Sequence, residues 1–214
     1  MGVRGAASGD VDEAEGDVEL APAVTFRTKR LELIAATTEA LRAELESREA
    51  LGRVLNVAVP SSWPPELYDA DAVRWVLNAM EAEGGVPSPW GLYYIADAPR
   101  EGSLAKLIGV GGYKGPPDAA GIVELGYGVV PERRRAGYAT EATRGMVERA
   151  FDHPGVQTVV AHTLIGLVAS IGVLEKNGFR FAGPGNDPSE PMAIRYELRR
   201  AEWVSARSVR PSSP

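Results

Sequence analysis

The stretch Glu124-Leu-Gly-Tyr-Gly-Val-Val-Pro-Glu-Arg-Arg-Arg-Ala-Gly-Tyr-Ala-Thr-Glu-Ala142 decides the reading of this chain. It opens as an apolar β run holding one carboxylate, passes Pro131 and three consecutive arginines, turns at Gly137 and continues as an amphipathic helix. A strand that stops before a new helix leaves unpaired N–H groups at the helix start, where those donors and the helix dipole favour an anion. Arg133, Arg134 and Arg135 add positive charge there. Gly137 permits backbone conformations closed to other residues and lets a ligand approach closely. The pattern is a phosphate cradle. It lacks the Gly-Lys-Ser/Thr ending that places a lysine and a magnesium-bound hydroxyl on a nucleotide, which argues against phosphoryl transfer.

Working outward, Ala23–Ala35 reads as a strand, and Thr37 or Thr38 caps a helix running to about Arg48, with further helical turns towards Val59. Pro60-Ser-Ser-Trp-Pro-Pro65 breaks the chain, and Asp71–Glu81 carries an apolar helical stripe. Strands follow over Gly91–Ala96, Lys106–Tyr113 and Gly121–Val130, then a helix over Tyr138–Asp152 and a strand over Val156–Thr163. A helix over Ala169–Asn177 ends at Gly178, and strands over Phe179–Ala182 and Ala193–Arg199 close the chain. This order predicts a mixed α/β sheet in one domain rather than a doubly wound series.

A length of 214 residues suits one such domain over 23–204, with tails over 1–22 and 205–214. Residues 1–22 hold six acids against Arg4 alone, a net of −5 out of −6, so they read as a disordered acidic tail beside a nearly neutral domain. No strongly basic surface for nucleic acid is expected. The chain has no cysteine, which excludes disulfides, thiolate metal sites and cysteine nucleophiles, and with only His153 and His162 a histidine-rich metal site is not expected either. No apolar run approaches the ~18–20 residues that span a bilayer, and no signal-peptide core is present, so the expected location is the cytoplasm.

Arg134-Arg-Ala-Gly137-Tyr-Ala139 resembles the Arg/Gln-x-x-Gly-x-Gly/Ala motif of the GNAT family of N-acetyltransferases, and Ser170-Ile-Gly-Val-Leu-Glu-Lys-Asn-Gly-Phe179 is similar to that family's closing helix and strand. Thr28-Lys-Arg-Leu31 resembles the opening of the branch that acetylates ribosomal-protein N-termini. The likeness covers roughly residues 24–200, and two matching segments in the right order are specific where one glycine pattern is not. It implies a single GNAT-like domain whose mostly antiparallel mixed sheet, flanked by helices, splays between the strand of Glu124 and the strand Val156–Thr163. Acetyl-CoA would serve as co-substrate in that opening, with no metal, held by the backbone at Val129 and Val130 and by Arg134, Arg135, Ala136, Gly137, Tyr138, Ala139 and Thr140. The partner would be a primary amine, on a peptide or protein N-terminus or a small molecule, attacking the thioester directly in a ternary complex. The resemblance is also compatible with a homodimer.

The reaction needs a deprotonated amine, a polarised carbonyl, a protonated leaving thiolate and aligned substrates. Glu124 is the candidate base, directly or through water; its apolar strand is expected to raise its pKa, and the alternative is an ion-paired surface glutamate. The family resemblance implies that a main-chain N–H near Val129 polarises the carbonyl. Ser170 is the second candidate, against a helix-capping role. His162 is an alternative base and Arg133 is read as solvated. Trp63 is read as a core plug, with a place in the acceptor pocket as its other reading. The chain departs from the family at Leu167, usually Asn, at Leu174, often the general-acid Tyr, and at Gly172, often Arg. These departures keep a non-catalytic acyl-CoA-binding domain as the alternative.

Overall fold

The computed structural model describes residues 25–98, 102–185 and 191–208. The acidic tail expected over 1–22 lies outside the described residues, as do 186–190 and 209–214. The chain opens with β1 (Phe26–Arg27), β2 (Leu31–Ala35), α1 (Thr38–Glu46), α2 (Arg48–Leu55) and α3 (Ala70–Ala82). Then come β3 (Leu92–Asp97), β4 (Leu107–Tyr113), β5 (Ile122–Val129) and α4 (Tyr138–Asp152). It ends with β6 (Thr158–Leu164), α5 (Val168–Lys176), β7 (Arg180–Pro184), β8 (Ala193–Arg199) and α6 (Arg200–Ser208).

The local reasons are legible. Thr37 Oγ1 accepts the Ala40 N–H at 3.1 Å and starts α1. Ser47 is extended (φ −168°), so α1 stops there, and its Oγ accepts the Ala50 N–H at 3.0 Å to start α2. The helix expected to reach Arg48 is thus two helices joined at one serine. The single strand expected over 23–35 is a hairpin, because the chain turns where the Thr28 N–H meets the Leu31 carbonyl at 2.9 Å. The sequence reading missed α6, which carries regular structure to Ser208, four residues beyond the expected boundary at 204.

The eight strands form one sheet in the order β1-β2-β3-β4-β5-β6-β8-β7. Every neighbouring pair is antiparallel except β5 and β6. On one face, Leu41, Leu51, Val73, Leu77 and Met80 from α1–α3 pack with Tyr94, Leu107 and Val110 of the sheet. Trp63 is 7% exposed within this cluster, so it is the core plug. The other face carries α4–α6, whose Met146, Val147, Leu174 and Trp203 pack on Leu33, Ile95, Val123, Leu125 and Leu198. Burying side chains of this kind contributes about 1.5–3 kcal/mol each. Among the described residues no helix is long and apolar enough to cross a membrane.

Candidate active site between the splayed strands

β5 and β6 pair only over Ile122–Glu124 and Thr158–Val160. Past that point β5 stays with β4 while β6 follows β8 to Leu164, so the two halves of the sheet separate. The Val130 N–H bonds Ile108 O at 3.0 Å and Glu124 O accepts the Lys114 N–H at 2.9 Å, both on the β4 side. Strand alternation therefore aims the Val129 N–H at the opposite, open edge. Val129 O faces the same way and accepts Arg134 Nε at 3.1 Å. Val129 thus offers a donor to the cleft, whereas the Val130 N–H belongs to the sheet.

The chain leaves β5 through a 3-10 turn at Pro131–Arg133. Arg135 (φ 60°) and Gly137 (φ 80°) both take the left-handed conformation. The helical ladder of α4 begins with the Glu141 N–H to Gly137 O at 3.0 Å, so the N–H groups of Tyr138, Ala139 and Thr140 stand ahead of it. Gly137 precedes the helix with no capping side chain. A phosphate fits such a cradle: backbone donors, the positive end of a 15-residue helix and no competing cap.

Two clamps hold the loop. From below, the Glu141 carboxylate accepts Thr28 Oγ1 at 2.7 Å, the Arg30 N–H at 2.6 Å and Arg30 Nε at 2.6 Å. Arg30 also donates to Ala136 O at 3.1 Å and lies over the Tyr138 ring at 4.6 Å. This is the role of Thr28-Lys-Arg-Leu31, whose likeness to a family opening carried no role in the sequence. From above, Arg134 Nη2 bonds Glu66 at 2.7 Å and Ser62 Oγ bonds Glu132 at 2.6 Å. Arg134 therefore braces the loop through its side chain, and its N–H reaches Pro131 O at 3.2 Å. Arg133, expected in solvent, is half-buried with Asp97 at 3.9 Å. No ion pair occupies the Arg135 guanidinium among the described residues.

Two predictions follow from these clamps. Arg135 holds a conformation that costs a residue with a Cβ about 1–2 kcal/mol. Arg135→Gly is expected to raise the melting temperature by about 2–4 °C per kcal/mol recovered. A thermal melt of the two chains reads the shift. For Glu141, burial raises the pKa, but the bonds from Thr28 and Arg30 outweigh it and hold the carboxyl below its usual range. A lowered folded-state pKa stabilises above the unfolded value and is lost as pH falls through the folded one. Glu141→Gln is expected to destabilise by about 1–2 kcal/mol near neutrality. Its gap from the parent should close as pH drops below about 4.3, which urea unfolding at several pH values checks.

Glu124, Gly126 and Gly128 project from β5 towards the α1–α3 face; Pro65 lies against Gly128, while nothing lies within 4 Å of a Cβ built on Gly126. Glu124 Oε1 meets the Lys114 ammonium and lies 3.0 Å from His162 Nδ1. Burial pushes the Glu124 pKa up, yet hydrogen bonds and charge from Lys114 and His162 outweigh it and the net shift is down. The expected rise is thus overturned: the apolar strand was read correctly, but Lys114 and His162 were not foreseen beside it. His162 Nε2 is buried with no hydrogen-bond partner in the protein.

On the α4–α6 face, the Tyr127 hydroxyl lies 3.2 Å from both Ser170 Oγ and Ser170 O. Burial pushes the Tyr127 pKa up to about 12, with the Ser170 contact opposing. Ser170 is the third residue of α5 and does not cap it; Leu167 holds the cap position without a side-chain bond. Leu174 is fully buried in the core, so its apolar character is a packing requirement. Lys114 and Tyr127 had no identifiable signal in the sequence, one lying in a turn and the other reading as an ordinary strand aromatic.

Residues 30–180 match the family described as "Acetyltransferase (GNAT) domain". The chain belongs to the GNAT acetyltransferase family. A curated relative, the uncharacterized N-acetyltransferase YjdG of Bacillus subtilis, is 31% identical over 74 residues, which are 35% of this chain and 44% of that protein. The chain thus matches less than half the length of this relative. Among solved structures, an acetyltransferase from Agrobacterium tumefaciens aligns at a TM-score of 0.53 and 24% identity, over 82% of this chain and 94% of its own. The aminoglycoside acetyltransferase AAC(6')-Ib with coenzyme A aligns at 0.55 and 18%, over 83% and 99%. A Vibrio cholerae protein proposed to be a ribosomal-protein-serine acetyltransferase aligns at 0.54 and 16%, over 83% and 98%. These likenesses bear on the fold of this GNAT domain. Among its described residues no group of three or more His, Asp or Glu is arranged to hold a metal ion.

Proposed function

We propose that the chain transfers the acetyl group of acetyl-CoA to a primary amine, of a peptide or protein N-terminus or of a small molecule, by direct attack in a ternary complex. The observation that carries this reading is the end of the β5–β6 ladder at Glu124 and Val160, directly ahead of an uncapped helix start. The polar cluster at Glu124, the parted strands and the backbone donors ahead of α4 then follow one another along the chain. Bound acetyl-CoA would supply the activated acyl group. In this reading the Val129 N–H polarises the thioester carbonyl, and Val130 keeps the strand straight by its bond to Ile108 O. Gly137, Tyr138, Ala139 and Thr140 give backbone donors to the pyrophosphate, Ala136 and Arg134 hold the loop's shape, and Arg135 adds charge. Glu124 anchors the deprotonation machinery on the acceptor side, with the open space over Gly126 for the amine. Ser170 and Tyr127 present hydroxyls on the opposite face, the side we assign to the departing sulfur.

The test is thiol release from acetyl-CoA across a panel of amines, with one arm of peptides beginning in serine and another of aminoglycosides. These arms follow the names of two structural relatives. Turnover with at least one acceptor is expected. Tight binding of acetyl-CoA with no thiol release from any amine would overturn the reading and leave a binding domain.

A further inference from the structure

We infer that His162, rather than Glu124, takes the proton from the acceptor amine, and that Glu124 is the positioning residue that holds the imidazole for it. This rests on the acetyl-transfer reading above. Glu124 is a poor proton acceptor as it stands: Lys114 and His162 Nδ1 both engage its Oε1. An anionic carboxylate 3.0 Å from Nδ1 fixes the proton on that nitrogen, which leaves the Nε2 lone pair free to accept. Nε2 is buried and meets no donor or acceptor of the protein. A buried imidazole nitrogen without a partner is uncommon, and an incoming N–H would satisfy it.

The sheet register says where the amine would stand. Glu124 is across from Val160, the last pair of the parallel ladder, so two residues further along each strand come Gly126 and His162. Gly126 offers open space on the face of Glu124. An acceptor lying over that glycine would approach the imidazole from the splayed side of β6, where the ring is partly exposed although Nε2 itself is covered, so the ring's cover must shift for the amine to meet that nitrogen. The charged groups facing His162 are Lys114 from the turn after β4, Glu124 from β5 and Arg195 directly opposite on β8. Each cation is matched: Lys114 by Glu124, and Arg195 by Glu197, which it contacts through Nε and Nη2 at 2.9 Å.

The step balances simply. Nε2 takes one proton from the acceptor ammonium, and the resulting imidazolium is held by Glu124 through Nδ1–H. The N–C bond to the acetyl carbon forms as the C–S bond breaks. The second proton of the nitrogen ends on the departing sulfur, and His162 returns the first to solvent.

The experiment compares the parent chain, His162→Gln and His162→Ala with an acceptor found in the amine panel. Coenzyme A titration and thermal melting of each confirm that the variants fold. For His162→Gln, kcat is expected to fall at least 100-fold with the KM for acetyl-CoA within threefold of the parent. Added imidazole should restore part of the rate to His162→Ala, which a purely structural histidine would not allow. A His162→Gln variant within threefold of the parent kcat overturns the inference, as does a folded His162→Ala that imidazole leaves unchanged. A parent chain with no turnover on any amine overturns the acetyl-transfer reading and this inference together. The parent rate therefore tells the two failures apart.

Discussion

Gly137→Val is expected to raise the dissociation constant for coenzyme A about 100-fold, measured by calorimetric titration. The position has φ 80°, and a β-branched residue there is a genuine outlier. A Cβ there would make ordinary contact, at 3.4 Å, with Nη2 of Arg30, the arginine that clamps the loop, so the strain is in the backbone. The backbone is expected to leave the left-handed region and turn away the N–H groups of residues 137 and 138. Two charge-assisted bonds at about 1.5 kcal/mol each sum to roughly 3 kcal/mol, about two decades of affinity. The loss should fall on cofactor binding, because the core under α4 is made by Met146, Val147 and Ala150, further along the helix. Affinity within threefold of the parent would mean that the cradle does not depend on this turn.

Glu124→Gln is expected to lower kcat by roughly 10²–10³, within the range of general acid–base contributions, with coenzyme A affinity changed less than threefold. The amide keeps a hydrogen-bond acceptor for His162 Nδ1 but removes the negative charge that favours an imidazolium beside it. Since the folded-state pKa of Glu124 is lowered, the parent carboxylate stays ionised through the mildly acidic range. Any acid limb of the rate profile above about pH 5 therefore belongs to another group. A split in which KM moves and kcat does not would assign Glu124 to acceptor binding. No change in either would make it the plain ion pair that its contact with Lys114 also allows.

Local chemistry made the fold legible. Tyr138–Asp152 and Ala193–Arg199 were readable to the residue because a glycine turn precedes the helix and alternation marks the strand. Boundaries failed where one side chain serves two elements, as at Ser47, or where a turn hides among charged residues, as at Thr28–Arg30. The turn ahead of α4 was legible because a glycine just before a periodic apolar stripe marks where the helix begins. The environment of Glu124 was not, because Lys114 and His162 come from a turn and a strand that only the sheet register brings together. Arg30 and Glu141 are 111 residues apart in sequence, and no periodicity links such a pair.

The segment between α2 and α3 touches the phosphate loop at two places, Glu66 to Arg134 and Ser62 to Glu132, and its Pro65 covers Gly128. In the proposed reading, cofactor and acceptor would address a shared mechanical element. If occupancy of the loop tightens that segment, the first ligand raises the affinity for the second, and reciprocity demands the same factor in the other order. The coupling between the two ligands would then be set by one ion pair and one hydroxyl–carboxylate bond outside the chemistry, and raising ionic strength should weaken the coupling before it slows the turnover.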